Sequence, residues 1–258
     1  MDLGISGRVA AVTGASRGLG KQIASSLAEE GCKMAICARG MEVLQETTDE
    51  LQSMGTDVLA VEADVSTPDG VQNFYDQIME RYGRVDIIVN NVGGTKGGRT
   101  FDETTDQDWL DTIELNLFSA VRLIRLGLPG MKERQWGRIV NVASIWGREF
   151  GGGLTYMTAK AALIAFSKHL ALSMAQNNVL INTIAPGSIQ FPGGGWDRFV
   201  KNNSEDVVQE FVARYLPSGK FGWPEPVGSM VAFLCSEKAD LVTGASINVD
   251  GGQSRSLI

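Results

Sequence analysis

Short apolar runs alternate along the chain with longer segments in which apolar residues recur every three or four positions. The runs are almost continuously apolar, which is typical of strands buried on both faces of a sheet. They cover residues 8–13, 33–38, 57–61, 85–89, 138–142, 179–184 and 245–249. The segments with helical period cover residues 18–31, 41–54, 68–82, 106–134, 154–177 and 224–236. Such alternation implies right-handed crossovers, so we predict an α/β fold with a doubly wound parallel sheet and helices on both faces.

The predicted sheet accounts for residues 1–258 as a single domain, with one interruption at residues 187–223. This segment contains three consecutive glycines, and we predict for it a long excursion with one short helix at 204–215. Loops that follow parallel strands form the ligand crevice of such sheets, so a substrate lid is one interpretation and an inert surface insertion is the other. Large aromatic residues in the segment favour the lid: Phe191, Trp196 and Phe199.

The charge and cysteine content narrow the function classes. The 258 residues carry 30 acidic and 23 basic side chains, a net charge of −7, so nucleic acids and anionic membranes are poor partners. No apolar run approaches the ~20 residues that span a bilayer, and the N-terminus has no signal-peptide pattern. The three cysteines lack a CxxC spacing, so we expect free thiols in a reducing compartment, the cytoplasm.

The single histidine, His169, restricts the possible chemistry further. A zinc site built from several histidines is excluded, and a Ser-His-Asp triad would have only this residue to use. His169 lies within a segment of helical period, which favours an ordinary helix-surface residue. We therefore predict no metal site.

A glycine-rich segment, TGASRGLG at residues 13–20, connects the first predicted strand to the first predicted helix. Glycines permit a tight turn and let backbone N–H groups approach a pyrophosphate, while the helix dipole attracts the anion. A tight structural turn is the alternative, but the position between a strand and a helix favours dinucleotide binding.

A second set of residues points to proton transfer. Tyr156 and Lys160 lie four positions apart in a segment of helical period, which places the phenol and the ammonium on one face. Reduction of a ketone requires a proton for the developing alkoxide. An ammonium ~4–5 Å away, at an effective dielectric of ~20, stabilises a phenolate by roughly 3–4 kcal/mol, so we expect a lowered pKa for Tyr156.

These features resemble the short-chain dehydrogenase/reductase family, in which the glycine spacing is GxxxGxG and the catalytic residues are Asn, Ser, Tyr and Lys in that order. The segment at residues 90–93, NNVG, is similar to the family's NNAG turn, and the resemblance covers the whole chain. It implies a Rossmann-like fold and the catalytic residues Asn116, Ser144, Tyr156 and Lys160. It also implies cofactor contacts from Gly14, Ser16, Arg17, Gly18, Leu19, Gly20, Arg39, Asp64, Val65, Asn91, Gly93, Tyr156, Lys160, Pro186, Gly187 and Ile189.

The resemblance assigns individual roles as well. Lys160 would bind the nicotinamide ribose, and Ser144 would donate to the substrate oxygen. Asn116 would hold a water that passes protons on from Lys160. Alternatives exist for two positions, since Ser144 would also suit a turn cap and Asn116 a buried, satisfied amide.

The residues after the second strand bear on the choice between NAD and NADP. Family members selective for NAD usually end this strand with an acidic residue that binds the ribose hydroxyls. That position is Ala38, which Arg39 follows, and Arg17 lies in the glycine-rich segment. Two guanidiniums can bind a 2′-phosphate, so we predict NADP(H) over the alternative of two ordinary surface arginines.

We predict that the substrate is a free small or aromatic ketone or alcohol, compact and hydrophobic, that binds in an apolar pocket around Tyr156. Four aromatic residues are candidates for the lining of this pocket: Trp146, Phe150, Phe191 and Trp196. At the position of Phe191 the family often has a threonine that helps to hold the cofactor, so a lid that begins here would close differently.

A carrier-bound substrate is the competing possibility, because the pattern is close to that of 3-oxoacyl-carrier-protein reductases. Those enzymes resemble one another in two arginines suited to an acidic carrier, and the corresponding residues here are Gln135 and Leu172. A local basic patch nevertheless remains at Lys132, Arg134 and Arg138.

Two further functions stay open. A dehydrogenase would oxidise an alcohol, sugar or diol with the same residues. A cofactor-sensing regulator would keep the fold and lose the chemistry, although both Tyr156 and Lys160 are present. The resemblance also implies a homotetramer that pairs through the helical segments 106–134 and 154–177, the second of which is rich in alanine.

Overall fold

Seven parallel strands form one sheet in the computed structural model, which describes residues 2–98 and 100–257. The strands are β1 (Val9–Thr13), β2 (Lys33–Ala38), β3 (Val58–Glu62), β4 (Ile87–Asn90), β5 (Gly137–Val142), β6 (Val179–Pro186) and β7 (Ser246–Val249). Their order across the sheet is β3-β2-β1-β4-β5-β6-β7. The predicted parallel α/β sheet is confirmed, and each strand lies within two residues of its predicted bounds.

Helices cover both faces of the sheet. They are α1 (Gly18–Glu29), α2 (Met41–Ser53), α3 (Pro68–Tyr82), α4 (Asp106–Ile113), α5 (Ser119–Glu133), α6 (Leu154–Met174), α7 (Gly195–Asn202), α8 (Glu205–Tyr215) and α9 (Pro224–Cys235). Successive side chains of a strand point to opposite faces. Accordingly, Ala10 and Val12 pack in one apolar cluster with residues of α1 and α9, whereas Val9 and Ala11 pack in a second cluster with residues of α3 and α5.

The strand order reverses beside β1, which pairs with β2 on one side and with β4 on the other. Crossovers leave this point in opposite directions, so a crevice opens at the carboxyl ends of β1 and β4. Thr13 and Asn90 end these two strands and mark the floor of the crevice.

The predicted helix at 106–134 is interrupted, because a π-helical turn, Glu114–Phe118, separates α4 from α5. The side-chain amide of Asn116 donates to the Thr112 carbonyl at 2.8 Å. In a regular α-helix this carbonyl would accept from the backbone N–H of residue 116, so the side chain keeps it bonded where the turn widens. The widened turn aims a buried polar side chain at the crevice.

The segment 187–223 contains two short helices rather than the single predicted one. The expected helix at 204–215 is present as α8. The helix α7 was not predicted, because the run of glycines that precedes it is typical of a loop. In its first turn, Asp197 accepts from the Gly193 N–H at 2.9 Å and from the Lys201 ammonium at 2.8 Å. These bonds stabilise a helix whose flanking residues are typical of a loop.

Two further observations concern the described residues. Within these ranges no helix combines the length and the apolar character that a membrane span requires. The thiols of Cys32, Cys37 and Cys235 are buried and unpaired, and burial raises the pKa of each above its usual value.

Candidate active site

The glycine-rich segment forms a tight turn between β1 and α1. Gly14 and Gly18 adopt φ angles of +67° and +59°, a region that favours glycine. A methyl group on Gly20 would collide with the Gly14 carbonyl oxygen. The three glycines are therefore required by backbone conformation and by close approach within the turn.

Side chains from neighbouring elements hold this turn in place. The amide of Asn91 donates to the carbonyls of Thr13 at 3.0 Å and Gly14 at 3.2 Å. The Thr13 hydroxyl in turn accepts from the Asn91 N–H at 3.0 Å. On the other side, the Thr47 hydroxyl donates to the Ser16 carbonyl at 3.2 Å. Asn91 and Ser16, both predicted as cofactor contacts, thus shape the turn through groups that are already bonded.

The amino end of α1 has the features of an anion site. Its first flanking residue, Arg17, is extended, and no side chain caps the N–H groups of the first turn. These N–H groups have no partner within the helix, and the helix dipole adds positive potential at the same end. Leu19 packs against the core beneath them. The turn therefore fits the pyrophosphate of a dinucleotide.

The edge near β2 suits a phosphate better than ribose hydroxyls alone. Ala38 ends β2 without a carboxylate, and the side chains of Arg17 and Arg39 are exposed. Asp64 accepts from the backbone and the hydroxyl of Ser66 at 3.0 and 2.7 Å. Burial on its own would raise the pKa of Asp64, but these bonds and the charges of Arg39 and Lys96 lower it. The neighbouring predicted contact, Val65, is buried in the second apolar cluster.

Tyr156 and Lys160 lie on the first turns of α6, beside the end of β5. The Lys160 Nζ is 5.6 Å from the centre of the Tyr156 ring and donates to the Val142 carbonyl at 2.8 Å. Ser144 is within hydrogen-bonding reach of the Tyr156 phenol. Its hydroxyl oxygen also accepts from the Trp146 N–H at 3.2 Å. Ser144 is therefore a turn cap and a neighbour of the phenol at once.

The predicted lowering of the Tyr156 pKa is wrong. Burial raises the pKa of Tyr156, and the hydrogen bond with Ser144 only partly offsets it. Burial also lowers the pKa of Lys160 from 10.5 to about 7, so the ammonium and the neutral amine are both populated at neutral pH. The sequence-based expectation assumed a fully charged lysine, whereas desolvation acts on both groups and outweighs their attraction.

Asn116 is buried and its amide is fully engaged. It donates to the Gly94 carbonyl at 2.8 Å and accepts from the Gly94 N–H at 3.1 Å. A methyl group on Gly93 would lie 2.7 Å from the Lys160 Nζ and 2.9 Å from the Asn116 Oδ1. Glycine at 93 thus lets the turn after β4 lie against both side chains. The contacts are those of a satisfied buried amide, and the water-holding role stays a prediction.

The turn after β6 is anchored by the C-terminal segment. Pro186 ends β6, and a methyl group on Gly187 would lie 2.6 Å from the Gln253 Oε1. That oxygen accepts from the Ser188 N–H at 2.7 Å. Ile189 then pairs with Gly222 in an isolated bridge that joins the two ends of the segment 187–223. Gln253 was not predicted, because nothing in its sequence neighbourhood indicates that it folds back onto β6.

The four aromatic residues predicted to line one apolar pocket have separate surroundings. The Trp196 ring packs on Phe199 and Phe211, with centroid distances of 5.7 and 4.8 Å, inside a cluster of α7 and α8. Phe150 is 92% exposed. The Trp196 ring therefore packs on aromatic rings of the segment 187–223. No substrate is needed to cover it.

The other two aromatic rings lie against glycines. A methyl group on Gly18 would lie 2.5 Å from the Phe191 ring, so this ring rests on the glycine turn. Trp146 packs against Gly151 and Gly152, where added methyl groups would collide with its ring. These contacts therefore do not form the predicted shared pocket, and the Phe191 ring lies against the glycine-rich turn instead.

The chain is similar to known oxidoreductases over most of its length. A family model described as short chain dehydrogenase matches residues 8–194. A putative ketoacyl reductase of Streptomyces coelicolor is 35% identical over 252 residues, which cover 95% of this chain and 96% of the relative. The 3-oxoacyl-[acyl-carrier-protein] reductase FabG of Aquifex aeolicus is 34% identical over 254 residues, with coverages of 98% and 99%.

Solved structures of reductases are similar to this chain as well. The L-sorbose reductase of Gluconobacter frateurii, complexed with NADPH and L-sorbose, has a TM-score of 0.93 and 36% identity, and the match covers 100% of both chains. An actinorhodin polyketide ketoreductase with NADPH has a TM-score of 0.90 and 34% identity, with coverages of 97% and 98%.

Proposed function

Because the chain belongs to the short-chain dehydrogenase/reductase family, we propose that it is an NADPH-dependent carbonyl reductase that acts on a small free ketone. The observation that carries the proposal is the position of the Tyr156 phenol. It lies beside the Ser144 hydroxyl and the Lys160 ammonium at the carboxyl edge of the sheet. A phenol so placed can donate the proton that a reduced carbonyl oxygen needs.

The residues around the crevice fit NADP(H). The N–H groups at the start of α1 would hold the pyrophosphate, and Arg17 and Arg39 would hold the 2′-phosphate. Lys160 would donate to the ribose hydroxyls, which would give its buried ammonium acceptors beyond Val142. The nicotinamide supplies the hydride.

The raised pKa of Tyr156 is compatible with reduction, in which the phenol donates its proton. A reductase needs the protonated phenol, and burial keeps the phenol protonated at neutral pH. The Ser144 oxygen already accepts from Trp146, so its own proton is free to be donated to the phenol oxygen or to the substrate oxygen. An alcohol, sugar or diol dehydrogenase would instead require the phenolate, and a regulator would require neither Tyr156 nor Lys160.

Reduction of a carrier-bound 3-oxoacyl chain is the second candidate, which the FabG relatives favour. The surface where an acidic carrier would dock argues against this second candidate. Arg138, counted in the basic patch, is only 1% exposed and pairs with Asp240 at 2.5 Å. Arg134 donates to the Val85 carbonyl at 2.6 Å. The basic patch is therefore weaker than the sequence indicated, which supports a free substrate, as the similarity to an L-sorbose reductase does.

We also propose a homotetramer in the cytoplasm, with the single domain closed over its substrate by the segment 187–223. Exposed apolar side chains on the predicted pairing helices support the oligomer: Leu110, Phe118 and Leu172. The three free thiols support a reducing compartment.

NADPH oxidation measured with free ketones and with an acetoacetyl carrier protein, at low and high salt, tests the proposal. We expect turnover of free ketones and no large advantage for the carrier-bound substrate. A large carrier advantage that shrinks with salt would establish the second candidate instead, because charge pairing at a docking surface is screened by ions.

A further inference from the structure

We propose that Asn141 is a positioning residue for Lys160, because its amide joins the three elements that lie around the Lys160 ammonium. This inference rests on the proposed reductase function, in which Lys160 acts beside Tyr156. Asn141 lies on β5 directly before Val142, whose carbonyl accepts from the ammonium at 2.8 Å. The Asn141 side chain is buried, so it acts through Lys160 rather than on a substrate.

Asn141 is the middle member of a chain of buried side-chain hydrogen bonds. The Asn90 Nδ2 donates to the Asn141 Oδ1 at 2.8 Å, and the Asn141 Nδ2 donates to the Ser167 Oγ at 2.8 Å. The Ser167 hydroxyl donates in turn to the Leu163 carbonyl at 2.6 Å. The chain therefore connects the end of β4, the strand β5 and the helix α6 through bonds of defined direction.

The same three elements lie around the Lys160 ammonium. The strand β4 leads into the turn at Gly93, where a methyl group would lie 2.7 Å from the Lys160 Nζ. The strand β5 supplies the Val142 carbonyl. The helix α6 carries Lys160 seven positions, or two turns, before Ser167, so both residues lie on one face of the helix. The position of the ammonium thus depends on how these elements are placed, which the Asn141 amide fixes.

Apolar packing holds α6 on the sheet mainly beyond Lys160. The α6 residues that pack in the second apolar cluster are Phe166, Leu170, Ala171 and Met174. Such contacts have no preferred direction, so they resist sliding of a helix along a sheet only weakly. The bond from Asn141 to Ser167 is directional, and Ser167 lies in the half of this apolar region that is nearer to Lys160. It therefore sets the register of α6 against β5.

The chain of hydrogen bonds has a cost that points to positioning rather than to stability alone. The Asn90 Oδ1 is buried, and it has no hydrogen-bond partner in the part of the chain that the structure describes. An unpaired buried oxygen is unfavourable, and apolar side chains would avoid the penalty. Polar groups that remain in a core at such a cost can select one arrangement of neighbouring elements.

Ser167→Ala tests the proposal, because it removes the link to α6 and leaves the apolar packing in place. Without that link the Lys160 ammonium loses its well-placed acceptor, so the pKa of Lys160 should fall further below its usual value. The measurement is kcat for NADPH-dependent ketone reduction across the pH range. Because the reaction uses the ammonium, we expect the alkaline decline of kcat to begin about one pH unit lower, with nearly unchanged kcat on the acid side.

Ser173→Ala is the matched control on the same helix. The Ser173 hydroxyl donates to the His169 carbonyl at 3.0 Å, as the Ser167 hydroxyl does to Leu163, but it is exposed and has no link to a strand. We expect its pH profile to be that of the wild type. A profile that stays unshifted in Ser167→Ala as well would overturn the inference.

Asn141→Leu and Asn182→Leu separate positioning from stability. Asn182 is buried on the neighbouring strand β6, where its amide donates to the Val242 carbonyl at 2.7 Å and accepts from the Ala245 N–H at 3.0 Å. Each variant therefore removes two hydrogen bonds of a buried strand residue, and we expect both to be destabilised. Only Asn141→Leu should shift the pH profile, and an equal shift in Asn182→Leu would overturn the inference.

Urea unfolding supplies a readout that does not depend on turnover. The free energy of unfolding rises with pH once the folded chain has released the Lys160 proton, and this rise should begin about one pH unit lower in Ser167→Ala than in Ser173→Ala. A wild-type protein that oxidises NADPH with no ketone would overturn the reductase function, and this shift would still decide the positioning role. Ketone turnover by the wild type with the same onset in both variants would overturn the positioning role and leave the reductase intact.

Discussion

The Lys160 ammonium donates to the Val142 carbonyl at 2.8 Å, and its side chain is buried. One neutral acceptor does not replace the water that a buried ammonium loses, so the pKa of Lys160 falls to about 7. The rest of the fold offsets the free-energy cost of burying Lys160. Because its pKa is near 7, Lys160 can gain or lose a proton beside Tyr156 at neutral pH.

This arrangement gives stability a defined pH dependence. The unfolded chain holds the Lys160 proton up to its ordinary pKa of 10.5, whereas the folded chain releases it near 7. The unfolded state therefore binds more protons in this window, and the contribution of Lys160 to the free energy of unfolding rises with pH. We expect Lys160→Met to be more stable than wild type below this window, by about a few kcal/mol, and to lose that advantage above it. Urea unfolding at several pH values checks this, and a difference independent of pH would contradict it.

Cofactor choice should follow the residues at the end of β2. In Ala38→Asp/Arg39→Leu a carboxylate replaces a methyl group and a phosphate partner is lost, so we expect the ratio of kcat/KM for NADPH to that for NADH to fall about tenfold or more. Arg214→Leu on α8 is the control, because it removes an exposed arginine far along the chain from this edge. An unchanged ratio in the double variant would place phosphate recognition elsewhere.

Phe191 should oppose cofactor binding. Its ring rests on Gly18, at the amino end of α1 where the pyrophosphate is expected. We expect Phe191→Ala to bind NADPH several-fold more tightly, because no ring has to be displaced from the turn. Phe191→Thr should bind at least as tightly, since the hydroxyl adds a hydrogen bond. Titration of the bound cofactor fluorescence measures both dissociation constants, and weaker binding by the alanine variant would show that the ring instead packs on the cofactor.

The sequence predicted the strands and the glycine turn well for physical reasons. Strands buried on both faces must be continuously apolar, and a positive φ at Gly14 leaves little choice of residue. The π-helical turn at Asn116 could not be predicted, because one added residue in a helical turn barely alters the apolar period. It depends on a side-chain bond to Thr112 that periodicity does not reveal.

Burial was the second quantity that the sequence did not disclose. Arg138 has the charge of a surface residue, yet it is the second residue of β5 and is buried, where it stacks over Trp136 at 4.5 Å and pairs with Asp240. The Tyr156 pKa was predicted in the wrong direction for the same reason, since spacing gives the distance to Lys160 but not the desolvation of either group.

The homotetramer is expected to use the exposed apolar surface of α6. Leu172 is 67% exposed on this helix, and a charge there would have to be buried in a helix pair. Light scattering at micromolar concentration should show a tetramer for the wild type and smaller species for Leu172→Glu. Val43→Glu, on the exposed face of α2, should remain a tetramer. A stable wild-type monomer would contradict the proposed assembly.

Tyr156→Phe tests the central claim most directly, because it removes the phenol proton and keeps the ring. The measurement is the rate of NADPH oxidation with a ketone that the wild type reduces, together with the NADPH dissociation constant of each protein. We expect the rate to fall by about a hundredfold or more while the dissociation constant stays within a few-fold of wild type. Near-normal turnover by Tyr156→Phe would contradict the assignment of Tyr156 as the proton donor.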